Sequence, residues 1–278
     1  MASDDQIWLD HRTIRIDDPE DARLVPYRDV RERDLVGREG RFIAEGKVVL
    51  NVLLANAAFA VESLRVLENR LAGLLEQIRL CPDNVPVYCV SRHVMDAIAG
   101  FPMHRGILAV GRRSTPCSTS QLIDALPEKS LAVVLCGISN HDNMGSIFRN
   151  AAAFEADCIL MDKTSCDPLY RKAIRVSVGA ALKVPFAREG SIEEIVGKLQ
   201  RAGFDIYALS PSGTETIYTA QPGARTALLL GTEGEGLPKA LMQKLRTVRI
   251  PMSQEFDSLN VATASGIALS RFSRFSAA

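Results

Sequence analysis

Leu131 to Cys136 is an unbroken apolar run. Such a run predicts a strand in a sheet covered on both faces. Downstream, the pattern alternates between the two periods of regular structure. Residues 144–154 predict a helix, 158–161 a strand, and 192–201 a helix that Gly203 ends. Residues 204–209 and 227–230 predict strands, 239–245 a helix, 248–250 a short strand and 259–272 a last helix. Strand–helix alternation of this kind implies a parallel sheet.

The first part of the chain alternates as well. Residues 39–46 predict a strand ending in a turn. Residues 47–58 predict a helix with Val48, Val49, Val52 and Leu53 as its apolar positions. Residues 61–66 predict a strand, and 68–80 an amphipathic helix with Leu71, Leu74, Leu75 and Ile78 on one face. A strand over 85–90, a helix over 92–99 and a strand over 106–110 follow. Four segments result: an extension with an acidic start (1–30), a small α/β domain (31–112), a linker (113–129) and a second α/β domain (130–278). The linker is polar around Pro116 and carries a short helix at 122–126. The chain has no internal repeat and no low-complexity stretch.

Composition narrows the classes. An apolar fraction of 47% with 24% charged residues is that of a soluble globular protein. No run approaches the ~20 apolar residues of a membrane span. The acidic start Asp4-Asp5 does not read as a secretory signal. Six cysteines are scattered without a close pair, so no zinc cluster is expected. Cys136 and Cys158 lie in apolar runs and read as buried free thiols, consistent with a reducing cytoplasm.

Charge at first argues against a nucleic-acid partner, since Lys and Arg balance Asp and Glu at 33 each. The average hides a pattern. Residues 1–21 hold seven acids against Arg12 and Arg15, whereas residues 22–113 hold 14 Lys and Arg against 10 acids. An acidic start thus masks a mildly basic body.

Three short blocks in the C-terminal half carry the candidate chemistry. The first, Asn140-His141-Asp142-Asn143-Met144-Gly145-Ser146-Ile147-Phe148-Arg149-Asn150, follows the strand at 131–136 and opens a helix. A ligand there meets free backbone N–H groups and the positive end of a helix dipole. Asn143 and Gly145 suit a turn where backbone approaches a ligand closely, and Asn143 also reads as a helix cap. The second block, Leu229-Leu230-Gly231-Thr232-Glu233-Gly234-Glu235-Gly236-Leu237-Pro238, is a glycine-rich turn after a strand. Its glycine spacing is neither that of a dinucleotide-binding turn nor that of a phosphate-binding P-loop. The third, Ile250-Pro251-Met252 followed by Ser258-Leu259-Asn260-Val261-Ala262, leaves a strand, crosses a polar loop and enters the last helix. Ser258 is placed there as the cap or near it.

In order and spacing these blocks resemble the three signature motifs of the SpoU (TrmH) class of SPOUT RNA methyltransferases. The stretch Arg175-Val176-Ser177-Val178-Gly179-Ala180-Ala181 resembles a mid-domain segment of that class. Phe42-Ile43-Ala44-Glu45-Gly46 and His104-Arg105-Gly106-Ile107-Leu108 resemble the ends of its N-terminal substrate-binding domain.

The resemblance implies an S-adenosylmethionine-dependent enzyme that methylates a ribose 2′-hydroxyl in structured ribosomal or transfer RNA. It implies a C-terminal SPOUT domain with a parallel sheet and a deep trefoil knot. It also implies a homodimer formed through the catalytic domain, without a metal. Catalytic roles fall on Arg149, Asn143, Glu233, Ser258 and Asn260. Cofactor contacts fall on Leu230, Gly231, Thr232, Gly236, Ile250, Met252 and Leu259. A guanidinium stays protonated far above neutral pH. Whether Arg149 takes the ribose proton or clamps an RNA phosphate is open on the residues alone. The alternative is a non-catalytic RNA-binding or ribosome-assembly protein on the same fold, which the intact set of candidate residues argues against. A third reading, an unrelated nucleotide-binding α/β enzyme, lacks the glycine fingerprint it requires.

Overall fold

The computed structural model describes residues 4–28, 40–99, 105–114, 117–232, 234, 236–253, 255 and 257–277. Glu233 of the second block and His104 lie outside these residues. The chain divides into two compact units, Met1–Thr115 with Leu169–Leu182, and Pro116–Pro168 with Lys183–Ala278.

The first unit holds a five-stranded mixed sheet in the order β1-β4-β3-β5-β2. Its strands are β1 (Thr13–Ile16), β2 (Arg41–Glu45), β3 (Phe59–Leu67), β4 (Val87–Val90) and β5 (Ile107–Arg113). β1 and β3 flank β4 in parallel, while β5 runs antiparallel to both β3 and β2. Residues 4–28 are folded into this unit. Leu9, Ile16, Leu24 and Tyr27 are buried, and β1 forms one edge of the sheet. Its short apolar positions are spaced among charges, which hides the strand from a hydrophobicity reading.

The expected single helix over 68–80 is broken. Two 3₁₀ turns, Glu68–Arg70 and Ala72–Leu74, precede the α-helix Leu75–Leu80. Gly73 interrupts the run, where a glycine costs a helix about 1 kcal/mol relative to alanine. Leu169–Leu182, read from sequence as part of the C-terminal domain, groups with the first unit. Arg171 donates to Glu45 at 3.0 Å, and Asn56 donates to the Leu182 carbonyl at 2.6 Å. Val178 and Gly179 take positive φ values of 54° and 87° there. For a β-branched residue this is an uncommon conformation.

The second unit holds a seven-stranded sheet in the order β10-β12-β9-β11-β6-β7-β8, parallel throughout. The strands are β6 (Ser130–Leu135), β7 (Cys158–Met161), β8 (Phe186–Arg188), β9 (Asp205–Leu209), β10 (Glu215–Thr216), β11 (Arg225–Leu230) and β12 (Arg246–Arg249). Every residue of β6 and β7 is buried, as the apolar runs require. Alternate residues face opposite ways. Ala132, Val134, Leu160 and Leu229 join Leu122, Ile195 and Leu199 in a core beneath the helices Thr119–Asp124 and Ile192–Arg201. On the other side Phe148 meets Phe186 edge-on at 5.6 Å, and Tyr207 meets Phe272 at 5.0 Å. These contacts seat the helices His141–Ala153 and Val261–Phe272. Cys136 and Cys158 are buried free thiols, and burial raises Cys158 to about 12.

Candidate functional site

The loop after β6 is built around a buried carboxylate. Asp162, at the end of β7, is 5% exposed. It accepts hydrogen bonds from Gly137 N (3.1 Å), Ser165 N (2.9 Å), Ser165 Oγ (2.7 Å) and Thr164 Oγ1 (2.7 Å). Ser165 Oγ in turn accepts from Ile138 N at 3.1 Å. The backbone entering the helix His141–Ala153 is thereby fixed. An asparagine at 162 would turn one acceptor into a donor facing donors. Asp162→Asn is expected to lose about 3 kcal/mol of stability, read as a lower denaturation midpoint at unchanged m.

The helix His141–Ala153 is capped by Asn140, whose side chain accepts from the N–H groups of Asp142 (2.8 Å) and Asn143 (3.2 Å). The capping role that the sequence allowed for Asn143 therefore belongs to Asn140, and Asn143 and Gly145 lie inside the helix. Asn143 is 7% exposed, and its Oδ1 accepts from Asn260 Nδ2 at 3.0 Å. Asn260 Oδ1 accepts from the N–H groups of Ala262 (2.9 Å) and Thr263 (3.2 Å), so Asn260, not Ser258, caps the last helix. The helix starts two residues later than expected because Leu259 precedes this cap. Further along, Asn150 Nδ2 donates to Ala262 O (2.8 Å) and Ser265 Oγ (2.9 Å). The first and third blocks are thus tied by two asparagines, one at each end of a short stretch of paired helix.

Arg149 stands apart. Six residues beyond Asn143, it lies about 9 Å further along the axis and on a different side of the helix. It is exposed and makes no hydrogen bond or ion pair with a described residue.

The second block folds back on itself after β11. Gly236 N donates to Thr232 O at 3.2 Å, and Gly234 and Gly236 take φ values of 96° and 68°. Gly231 has no room for a side chain: a Cβ there would lie 2.7 Å from the Gly236 carbonyl carbon and the Leu237 nitrogen.

This loop forms one wall of a cavity of about 250 Å³. Leu230, Gly231, Thr232, Gly236, Ile250, Met252 and Leu259, the residues to which the resemblance assigns cofactor contacts, all line it, as does Ser258. Arg149, Asn143 and Asn260 do not. The cavity lies at the C-terminal ends of β9, β11 and β12, which are neighbours in the sheet. That is where open α/β sheets place ligands.

Gly234 of the same loop, Leu209, Ser210 and Pro211 from the end of β9, and Val261 and Ala264 from the last helix, complete the described lining together with Asp257. Apart from Gly234 and Val261, which belong to the second and third blocks, the sequence did not single these out. Ser210 belongs to the site because β9 sits between β11 and β12, an adjacency no local pattern encodes. The turn it begins is pinned to β12: Ser210 N donates to Val248 O at 2.9 Å, and Arg249 Nη1 donates to Gly213 O at 2.8 Å.

Among the described residues, no group of three or more His, Cys, Asp or Glu is placed to hold a metal. None of the described helices is long and apolar enough to cross a membrane.

Residues 130–270 match the model of the SpoU rRNA Methylase family. An uncharacterized tRNA/rRNA methyltransferase of Mycobacterium bovis is 40% identical over 261 residues, covering 90% of this chain and 88% of that protein. The 23S rRNA (guanosine-2′-O-)-methyltransferase RlmB of Vibrio parahaemolyticus is 29% identical over 205 residues, 73% of this chain and 82% of that protein. A crystal structure of an AdoMet-bound rRNA methyltransferase from Sinorhizobium meliloti shares the fold. Its TM-score is 0.79 at 23% identity, over 94% of this chain and 97% of that one.

Proposed function

The chain belongs to the SpoU rRNA methylase family of RNA methyltransferases, and from that premise we propose that it moves a methyl group from S-adenosylmethionine to a ribose 2′-hydroxyl of ribosomal or transfer RNA. The observation that carries this reading is the cavity at the ends of β9, β11 and β12, lined by parts of two of the three blocks. Its chemistry suits the cofactor. Leu209, Leu230, Ile250 and Leu259 offer apolar walls for an adenine ring, and the loop backbone and neutral hydroxyls offer polar contacts without charge.

Bound there, the cofactor supplies a methyl group already activated by a positive sulfur. The chain's own residues then have to position the acceptor, since holding two reactants in line supplies much of such a barrier. Asn143 and Asn260 lock the starts of two helices against each other beside the cavity and fix its acceptor side. Arg149, exposed and without a carboxylate partner among the described residues, presents a fork of donors suited to an RNA phosphate. In this role it orients the target ribose, and the hydroxyl proton passes to a phosphate oxygen or to water as the oxygen attacks. Glu233 and Ser258 complete the proposed catalytic set.

The reading extends to a homodimer through the second unit. The offset of Arg149 from the cavity on its own chain supports a site completed where two copies meet. It also includes a trefoil knot. The placement of β11 between β9 and β6, with β12 beyond β9, supports threading of the chain near residue 228. The mildly basic first unit is the proposed RNA-binding domain, and the cytoplasm the proposed compartment.

The test uses purified protein, methyl-labelled S-adenosylmethionine and total RNA from cells lacking the gene. Label enters RNA if the reading holds. RNA binding that ignores the cofactor, with no label transferred from several RNA sources, identifies instead a non-catalytic RNA-binding protein.

A further inference from the structure

Among the described residues that line it, the cavity is nearly free of ionised groups. Ser210, Thr232 and Ser258 contribute neutral hydroxyls, and the rest of its described lining is apolar or glycine, with one exception. Asp257 lines the cavity and is exposed, so its carboxylate stands at the mouth rather than in the floor. It lies three residues before the cap Asn260, on the loop that leads from Met252 into the last helix. None of the three blocks includes it.

A carboxylate beside apolar walls discriminates by charge. Apolar walls cannot replace the water a cation gives up, so a cationic guest depends on the nearest anion. A neutral guest of the same shape does not. We propose that Asp257 is a specificity-determining residue that separates the sulfonium form of the cofactor from the neutral thioether left after transfer. The proposal rests on the methyl-transfer reading above.

The two forms differ by one methyl group and one positive charge on sulfur. In the reaction a C–O bond forms to the ribose oxygen as the C–S bond breaks. The electron pair of that bond stays on sulfur, and the hydroxyl proton departs. The guest in the cavity thus loses its charge at the moment of reaction, and Asp257 loses its reason to hold it. A carboxylate so placed favours loading of fresh cofactor and release of spent product. Both forms also carry the same ammonium on their amino-acid end. A carboxylate facing that end would help both equally, and this distinction makes the proposal testable.

The experiment is calorimetric titration of the full chain with S-adenosylmethionine, S-adenosylhomocysteine and sinefungin, an analogue with an amine in place of the sulfonium. Asp257→Asn keeps the shape and removes the charge. It is expected to weaken S-adenosylmethionine about fivefold and to leave S-adenosylhomocysteine within about twofold. Asp257→Lys should extend the first loss to about twentyfold, with sinefungin following the sulfonium form. Equal weakening of both cofactor forms, or no change in either, overturns the proposal. Absence of binding to the unsubstituted protein overturns the methyl-transfer reading itself, and appears before any substitution is made.

Discussion

Arg149→Ala is expected to lower methyl transfer by at least about a hundredfold while leaving affinity for S-adenosylmethionine within about twofold. The two halves of this expectation have separate structural grounds. Arg149 is exposed, has no partner among the described residues and does not line the cavity, so its loss leaves the cofactor's surroundings intact. It also removes no packing, and the fold should keep its melting temperature within a degree or two. The proposed role is a bidentate grip on an RNA phosphate. Losing such a grip lets the ribose oxygen wander from the line of attack, which lowers the turnover of bound RNA as well as its affinity. Arg149→Lys keeps the charge and loses the fork, so it should recover binding more than turnover. Single-turnover rates with saturating RNA, set beside cofactor titrations, separate the effects. Undiminished transfer by Arg149→Ala would remove this residue from the mechanism.

Gly231→Ala is the second large effect, and it falls on the other side of the reaction. The added methyl would lie 2.7 Å from two backbone atoms and 2.9 Å from Leu237 Cγ, and the backbone cannot swing aside as a flexible side chain could. The loop must open, and with it the wall that Thr232 and Gly236 give to the cavity. Cofactor affinity is expected to fall at least about fiftyfold, a loss of about 2.3 kcal/mol. Gly234→Ala is the internal comparison. Its φ of 96° strains an alanine, yet a Cβ there meets nothing within 4 Å. Gly234 also lines the cavity, but strain alone costs about 1–2 kcal/mol and pushes no neighbouring backbone aside. Calorimetry should therefore rank Gly231→Ala well below Gly234→Ala in affinity. The reverse order would mean that the loop's close fold does not shape the site.

Much of the second unit was legible in the sequence for one physical reason. Strands buried on both faces must be apolar throughout, so β6, β7 and β11 announce themselves, and the helices between them show their period. β8 and β10 do not, because Phe186–Arg188 and Glu215–Thr216 are too short to carry a pattern. The site was legible in part. Glycines and the residues following strand ends marked the walls at 230–236 and 250–259. The third wall at Ser210 was hidden, since it depends on β9 lying between β11 and β12. Caps were misplaced by two or three residues because several asparagines and serines compete near each helix start. Only the three-dimensional path shows that Asn140 and Asn260 win. The grouping of Leu169–Leu182 with the first unit was hidden for a similar reason. It rests on Arg171 reaching Glu45 and on Asn56 reaching Leu182, contacts 126 residues apart in sequence.

The central claim concerns the atom that receives the methyl group, and alkali addresses it directly. Hydroxide cleaves RNA through attack by the free 2′-hydroxyl, so a ribose methylated at that oxygen survives in a dinucleotide. RNA labelled by this protein with methyl-labelled S-adenosylmethionine should yield its label in alkali-stable dinucleotides and, after enzymatic digestion, in a 2′-O-methyl nucleoside. Label recovered in mononucleotides, as a methylated base gives, would contradict the account.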